Sequence, residues 1–150
     1  MTLRSLALLA VAILLALAPV AAASHLKEQP RKHKVVYHLS EAGVDHARFV
    51  LRNIQNTITG VGGVANIELI ELVVHGPALK TFVAWGMDRE VKALLTELQG
   101  QGLALGACGN TMKQMNLTLE QLPKGTQHLP QGGVVRIMEL AEQGYVYLRP

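Results

Sequence analysis

Apolar and polar positions change their period several times along this chain, and the changes mark its elements. Lys34-Val35-Val36-Tyr37-His38-Leu39 is rich in β-formers and is closed by the turn-forming Ser40-Glu41-Ala42-Gly43. From Val44 the period becomes helical. Ala47, Val50, Leu51, Ile54 and Ile58 recur on one face, with Arg48, Arg52, Asn53, Gln55 and Asn56 on the other, until Gly60 and Gly62-Gly63 end the run. Ile67 to Val74 is a second strand, apolar enough to be covered on both faces, and it stops at His75-Gly76-Pro77. A helical stretch is predicted from Ala78 to Trp85, broken at Gly86. Asp88 then caps a helix running to Gln99, with Val91, Leu94, Leu95 and Leu98 facing inward.

Gly100-Gln101-Gly102 turns the chain into a third strand, Leu103 to Ala107. A short helical region follows Asn110, and a weak strand covers Thr126 to Leu129. Gly132-Gly133 opens a last helix, whose apolar positions Val134, Ile137, Met138 and Ala141 are set opposite Arg136, Glu139 and Gln143. Gly144 ends that helix, and Tyr145-Val146-Tyr147-Leu148 is the closing strand. Strands alternating with helices imply right-handed crossovers and a parallel sheet. The expected fold is therefore an α/β three-layer sandwich with a mainly parallel central sheet, flavodoxin-like in size, formed by one domain over 34–150.

The residues before that domain read differently. Arg4 precedes an unbroken apolar stretch from Leu6 to Val20, and Ala21-Ala22-Ala23 offers the small residues a signal peptidase requires. Residues 1–23 are read as a cleavable signal peptide, which places the mature chain in the periplasm or outside the cell. The apolar run is shorter than the ~20 residues a spanning helix needs, so no stable membrane insertion is expected after cleavage. Residues 24–33, with Lys27 and Pro30, read as a flexible tether.

Charge and motifs exclude several functions. The net charge is +3, spread along the chain apart from the Lys27–Lys34 segment, and no basic stripe with interleaved aromatics is present to hold nucleic acid. The glycines near Gly60 and Gly132 match neither a dinucleotide fingerprint nor a phosphate loop, and no serine-centred nucleophile elbow occurs. No cofactor is read from the sequence.

The one cysteine, Cys108, cannot form an internal disulfide. It is a shielded core residue, half of a bond to another chain, a metal ligand or a reactive nucleophile. In open parallel α/β sheets, ligands bind beyond the carboxyl ends of the strands. His38 ends the first predicted strand, His75 the second and Cys108 the third, and these are the candidate catalytic residues. A turn and helix start after Cys108 would aim backbone N–H groups at its sulfur and favour the thiolate. Asn110, Thr111 and Gly76 flank the trio as candidate substrate-binding positions. Glu41 is a candidate for lining the same edge, and Asp45 and His46 for capping the first helix. Two imidazoles and a thiol also suit copper or zinc, but no local ligand motif supports a metal, and none is assigned.

The stretches "KVVYHLSE", "LRNIQNTI", "IELIELVVHGPALK", "GLALGACGNTM" and "LPQGGVVRIMELAEQGYVYLRP" resemble the DsrE/DsrF-like family, in its exported branch, over about Lys34 to Pro150. "VVHG", "ACGNTM" and "GYVYLRP" are the most specific pieces. The resemblance implies a three-layer α/β fold that assembles into homo- or hetero-oligomers, commonly trimers or hexamers. It also implies a role in sulfur relay, with sulfur carried as a persulfide on a strand-end cysteine. That role maps here onto Cys108 alone, and it implies a sulfur-donor or acceptor protein as partner. The implied activity is that of a sulfur carrier rather than a turnover enzyme. The alternative reading is an oligomeric binding module that holds a metal or small ligand at the His38/His75/Cys108 edge without catalysis.

Overall fold

In the computed structural model the residues described are 32–150. The expected signal peptide, and all but the last two residues of the expected tether, lie outside them. Five strands form one fully parallel sheet: β1 His33–Leu39, β2 Ile67–Val74, β3 Leu103–Cys108, β4 Thr126–Leu129 and β5 Val146–Leu148, in the order β4-β3-β2-β1-β5. Helices α1 (Val44–Gly60), α2 (Arg89–Gly100), α3 (Gly109–Gln114) and α4 (Gly133–Glu142) connect them. The α/β fold expected from the alternation is the fold observed.

The two faces of the sheet are covered unequally. One face carries the main core, in which Val50, Leu51 and Ile54 of α1 and Val91, Leu95 and Leu98 of α2 pack on Val35, Tyr37, Leu72, Val74 and Leu105. The five predicted inner positions of α1 are all buried. α2 begins as expected, with the Asp88 carboxylate accepting the Glu90 and Val91 N–H groups, which satisfies two donors that the helix leaves open. Among the described residues the other face is covered by α4 alone, over a small cluster of Val36, Val73, Leu129, Leu140 and Tyr145.

Several local expectations are corrected. The stretch predicted as helix from Ala78 to Trp85 is a 3-10 turn, Gly76–Phe82. Pro77 opens it, and the three-residue spacing of Leu79 and Phe82 buries both side chains. Trp85 lies outside it, 71% exposed. The first helix is not capped by Asp45 or His46: Gly43 holds the cap position, Asp45 pairs with Arg48, and His46 stacks on Phe49. Only the carboxyl half of β2, from Ile70 on, is buried on both faces, and Leu69 is exposed.

The last helix is turned relative to the predicted orientation. Val134 (66% exposed), Met138 (54%) and Ala141 face outward, while Gly133, Ile137 and Leu140 face the sheet. The reason is a charge pair the pattern does not show. Glu71, only 3% exposed in the middle of β2, accepts two hydrogen bonds from Arg136: Nε to Oε1 at 3.1 Å and Nη2 to Oε2 at 2.8 Å. A buried carboxylate without such a partner is strongly unfavourable, so Arg136 is drawn onto the sheet side.

Candidate functional site

Strand register decides which side chains meet. In a parallel pair, aligned residues point to the same face, and alternate residues along a strand share it. His38 is aligned with Val73, and Val73 with Gly106. His75 lies two residues beyond Val73 and Cys108 two beyond Gly106, so all three candidates project on the α4 face at the carboxyl edge. Tyr147 is aligned with Val36 of β1 and reaches the same place from β5. Across the sheet from β3 to β5 the edge reads Cys108, His75, His38, Tyr147.

The three aromatic side chains form a hydrogen-bonded row. His38 Nε2 lies 2.6 Å from His75 Nε2, and His38 Nδ1 lies 2.7 Å from the Tyr147 hydroxyl. The two imidazoles are stacked, with ring centroids 4.7 Å apart. Burial lowers the pKa of His38 to about 4, and the charges of His75 and Arg149 add to the shift. Burial first, then Arg149, also lowers the pKa of His75. At neutral pH both rings are uncharged, so one ring's Nε2–H donates to the other's bare nitrogen. The row has two consistent directions. Either Tyr147 donates to His38 and His38 to His75, or His75 donates to His38 and His38 to Tyr147. Exchanging the two moves a proton between the sheet edge and an exposed hydroxyl without leaving a charge on either ring. Arg149 is held beside the pair by donating to Ser40 Oγ and to a Glu41 carboxylate oxygen at 3.1 and 3.2 Å, so Glu41 lies at this edge with Arg149 as its partner.

Cys108 is the last residue of β3 and precedes the first residue of α3, and its side chain is buried. Burial by itself raises the thiol pKa. Hydrogen bonds from the Thr111 hydroxyl and from the backbone N–H groups of Gly133, Thr111 and Asn110 more than offset it, so the thiol titrates below its ordinary value. The donors come from both sides of the sulfur: Asn110 and Thr111 belong to α3, and Gly133 is the first residue of α4. That second approach is close-fitting: a Cβ at position 133 would sit 3.2 Å from His75 Cβ, 3.2 Å from Val73 Cγ1 and 3.3 Å from Cys108 Cβ, so it could enter only if these neighbours gave way by a few tenths of an ångström.

The predicted substrate-binding positions turn out to be bonded within this edge. Thr111 Oγ1 accepts the Gly76 N–H at 2.9 Å, tying the end of β2 to α3, and the same hydroxyl helps to lower the Cys108 pKa. Gly76 does this at φ +59, a left-handed value that favours glycine. The Asn110 side chain is exposed, while its N–H faces the sulfur. Tyr147, Gly133 and Arg149 escaped the sequence reading. The closing stretch "GYVYLRP" and the double glycine at 132–133 were the available signals, but their meaning depends on β5 lying next to β1 and on α4 crossing β3. Among the described residues, no three His, Cys, Asp or Glu side chains are placed to hold a metal ion.

No protein-family model and no curated protein matches the chain. Solved structures do resemble it. MTH1491 of Methanobacterium thermoautotrophicum, described as a protein of unknown function, is 24% identical, with TM-score 0.69, over 79% of this chain and 100% of its own. The ychN protein of E. coli is 16% identical, with TM-score 0.62, over 79% of this chain and 99% of its own. These likenesses support a DsrE-like fold for the chain, and at such identities they carry no chemistry with them.

Proposed function

We propose that this chain is an exported sulfur carrier that holds sulfane sulfur as a persulfide on Cys108. The observation that carries the reading is the place of Cys108, at the carboxyl end of β3 between the starts of α3 and α4, where neighbouring polar groups lower the thiol pKa and so favour the thiolate needed for attack. The thiolate attacks the outer sulfur of a donor persulfide, R–S–SH. A bond forms between Cys108 Sγ and that sulfur, the donor S–S bond breaks, and the donor leaves as RS⁻. The transferred sulfur keeps its hydrogen, and no net oxidation or reduction occurs. The proton lost when Cys108 ionises passes to solvent and is available from there to the leaving thiolate. Delivery to an acceptor thiolate is the same exchange in reverse.

The carrier works as a homo-oligomer in this reading. α4 turns Val134, Val135 and Met138 outward, and Leu69 of β2 is exposed on the face that α4 covers alone. Apolar groups left in water in such numbers favour contact with a second copy. The signal peptide places the carrier in the periplasm or outside the cell.

Treating the purified protein with glutathione persulfide, trapping with a maleimide and weighing the protein tests the carrier. One added sulfur on Cys108, absent in Cys108→Ser, is the expected result. A Cys108 that stays an unmodified thiol overturns the reading. Light scattering of the parent and of Met138→Lys tests the assembly, which the substitution is expected to weaken.

A further inference from the structure

The second site is on the other face of the sheet and shares no residue with the Cys108 edge. A cavity of about 480 Å³ opens between α2, the turn at Ala84–Met87 and the turn that leads into β4. Its size falls within the roughly 300–1,000 Å³ of small-molecule sites. The floor is apolar: Leu95 and Leu122 belong to the main core, and Met87 and Pro123 complete it. Methionine adapts to the shape of what it meets.

The rim has one sign of charge. Lys92 and Lys124 line the opening and no carboxylate does. Neither lysine is in an ion pair among the described residues, whereas the acidic side chains of α2 are engaged elsewhere. Glu90 pairs with Arg48 and Arg52, and Glu97 accepts from Gln55, all on α1. α2 is thus split by charge, with its carboxylates against α1 and Lys92 at the cavity. The remaining polar groups hold the walls: Gln99 Nε2 donates to the Lys124 carbonyl at 3.1 Å, and the Thr96 hydroxyl to the Lys92 carbonyl at 2.8 Å.

We propose that this cavity binds a small amphipathic anion, a carboxylate with a compact apolar body. The body rests on Leu95, Leu122, Met87 and Pro123, and the carboxylate lies between Lys92 and Lys124. Apolar burial supplies most of the affinity, and the two ammonium groups select for charge. A neutral ligand of the same shape leaves both lysines without a partner and binds more weakly. The proposal is independent of the reading of Cys108, so either stands if the other fails.

Trp85, the chain's one tryptophan, lies between the lining residues Ala84 and Met87 and serves as the reporter. Octanoate and octanol are titrated into the full-length protein while tryptophan emission is followed, and each is competed against anilinonaphthalene sulfonate. Octanoate is expected to bind saturably, about five- to tenfold more tightly than octanol, and to lose that margin in Lys92→Ala/Lys124→Ala. Thr96→Phe, which fills the opening from an exposed position, is expected to abolish both signals while leaving sulfur loading at Cys108 intact. The absence of saturable octanoate binding overturns the proposal. So does octanol binding as tightly as octanoate, an unchanged preference in the double-lysine variant, or octanoate binding that survives Thr96→Phe.

Discussion

Gly133→Ala tests how the two helix starts are held around one sulfur. In an ordinary helix this exchange stabilises by up to about 1 kcal/mol, because alanine loses less conformational freedom on folding. Gly133 has no left-handed backbone to protect, since its φ is not among the positive values of the chain. Space alone opposes the change. The new Cβ would lie 3.2–3.3 Å from His75 Cβ, Val73 Cγ1 and Cys108 Cβ, and none of these is the free end of a flexible side chain. The start of α4 must rise by a few tenths of an ångström, or the strand ends must part. Overpacking of this kind costs roughly 1–3 kcal/mol, so the sign of the stability change reverses. The same lift lengthens the Gly133 N–H contact with the thiolate. Weakening that bond by about 1 kcal/mol, within the range for hydrogen bonds to charged groups, reduces the thiolate fraction about fivefold below the thiol pKa. Urea unfolding measures the first effect, and the pH dependence of iodoacetamide alkylation the second. Gly60→Ala and Gly100→Ala are the controls, since a Cβ at either position meets nothing within 4 Å, and both are expected to be neutral or stabilising. A Gly133→Ala protein as stable as the parent, with the same alkylation profile, refutes the account of how α4 meets Cys108.

Thr111→Val removes the hydroxyl that accepts the Gly76 N–H and helps to lower the Cys108 pKa. The alkylation profile is expected to move to higher pH, with a stability loss of about 1–2 kcal/mol from the unpaired N–H. Glu71→Gln leaves Arg136 only the looser 3.9 Å pair with Glu139 and is expected to lower stability by about 1–3 kcal/mol, whereas Glu71→Met/Arg136→Met costs less because no buried charge is left half-paired; urea unfolding of the three proteins decides. The histidine row makes stability depend on pH. The folded pKa of His38 is lowered to about 4 from 6.5, so between those values the unfolded chain binds a proton that the folded chain refuses. Stability is undiminished above pH 6.5, declines as pH falls through the unfolded value, and levels off near the folded one, a loss of at most about 3 kcal/mol. Unfolding midpoints measured from pH 7.5 to 4 are expected to fall more steeply for the parent than for His38→Gln.

Asp88→Ala, which leaves the Glu90 and Val91 N–H groups without their acceptor, is expected to lower stability by about 1 kcal/mol in the same unfolding assay.

Pattern alone determined the parts of this protein governed by local physics. The inner face of α1, the Asp88 cap, the strand positions and the parallel alternation follow from side-chain periodicity and backbone chemistry, which neighbouring residues settle among themselves. It also brought His38, His75 and Cys108 to strand ends. Tertiary structure decided what those ends meet. Hydrophobic periodicity turned α4 the wrong way, because a buried Glu71 on β2, with four helices and strands between, demanded Arg136 and outweighed the exposure of Val134 and Met138. Tyr147 joined the histidines because β5 returned beside β1, and Gly133 reached Cys108 because α4 crosses the sheet where β2 and β3 end. Strand order and helix crossing are long-range choices, and no local spacing records them. The sequence supplied a thiol and two imidazoles; the fold brought the starts of α3 and α4 to the thiol and linked the two rings to Tyr147.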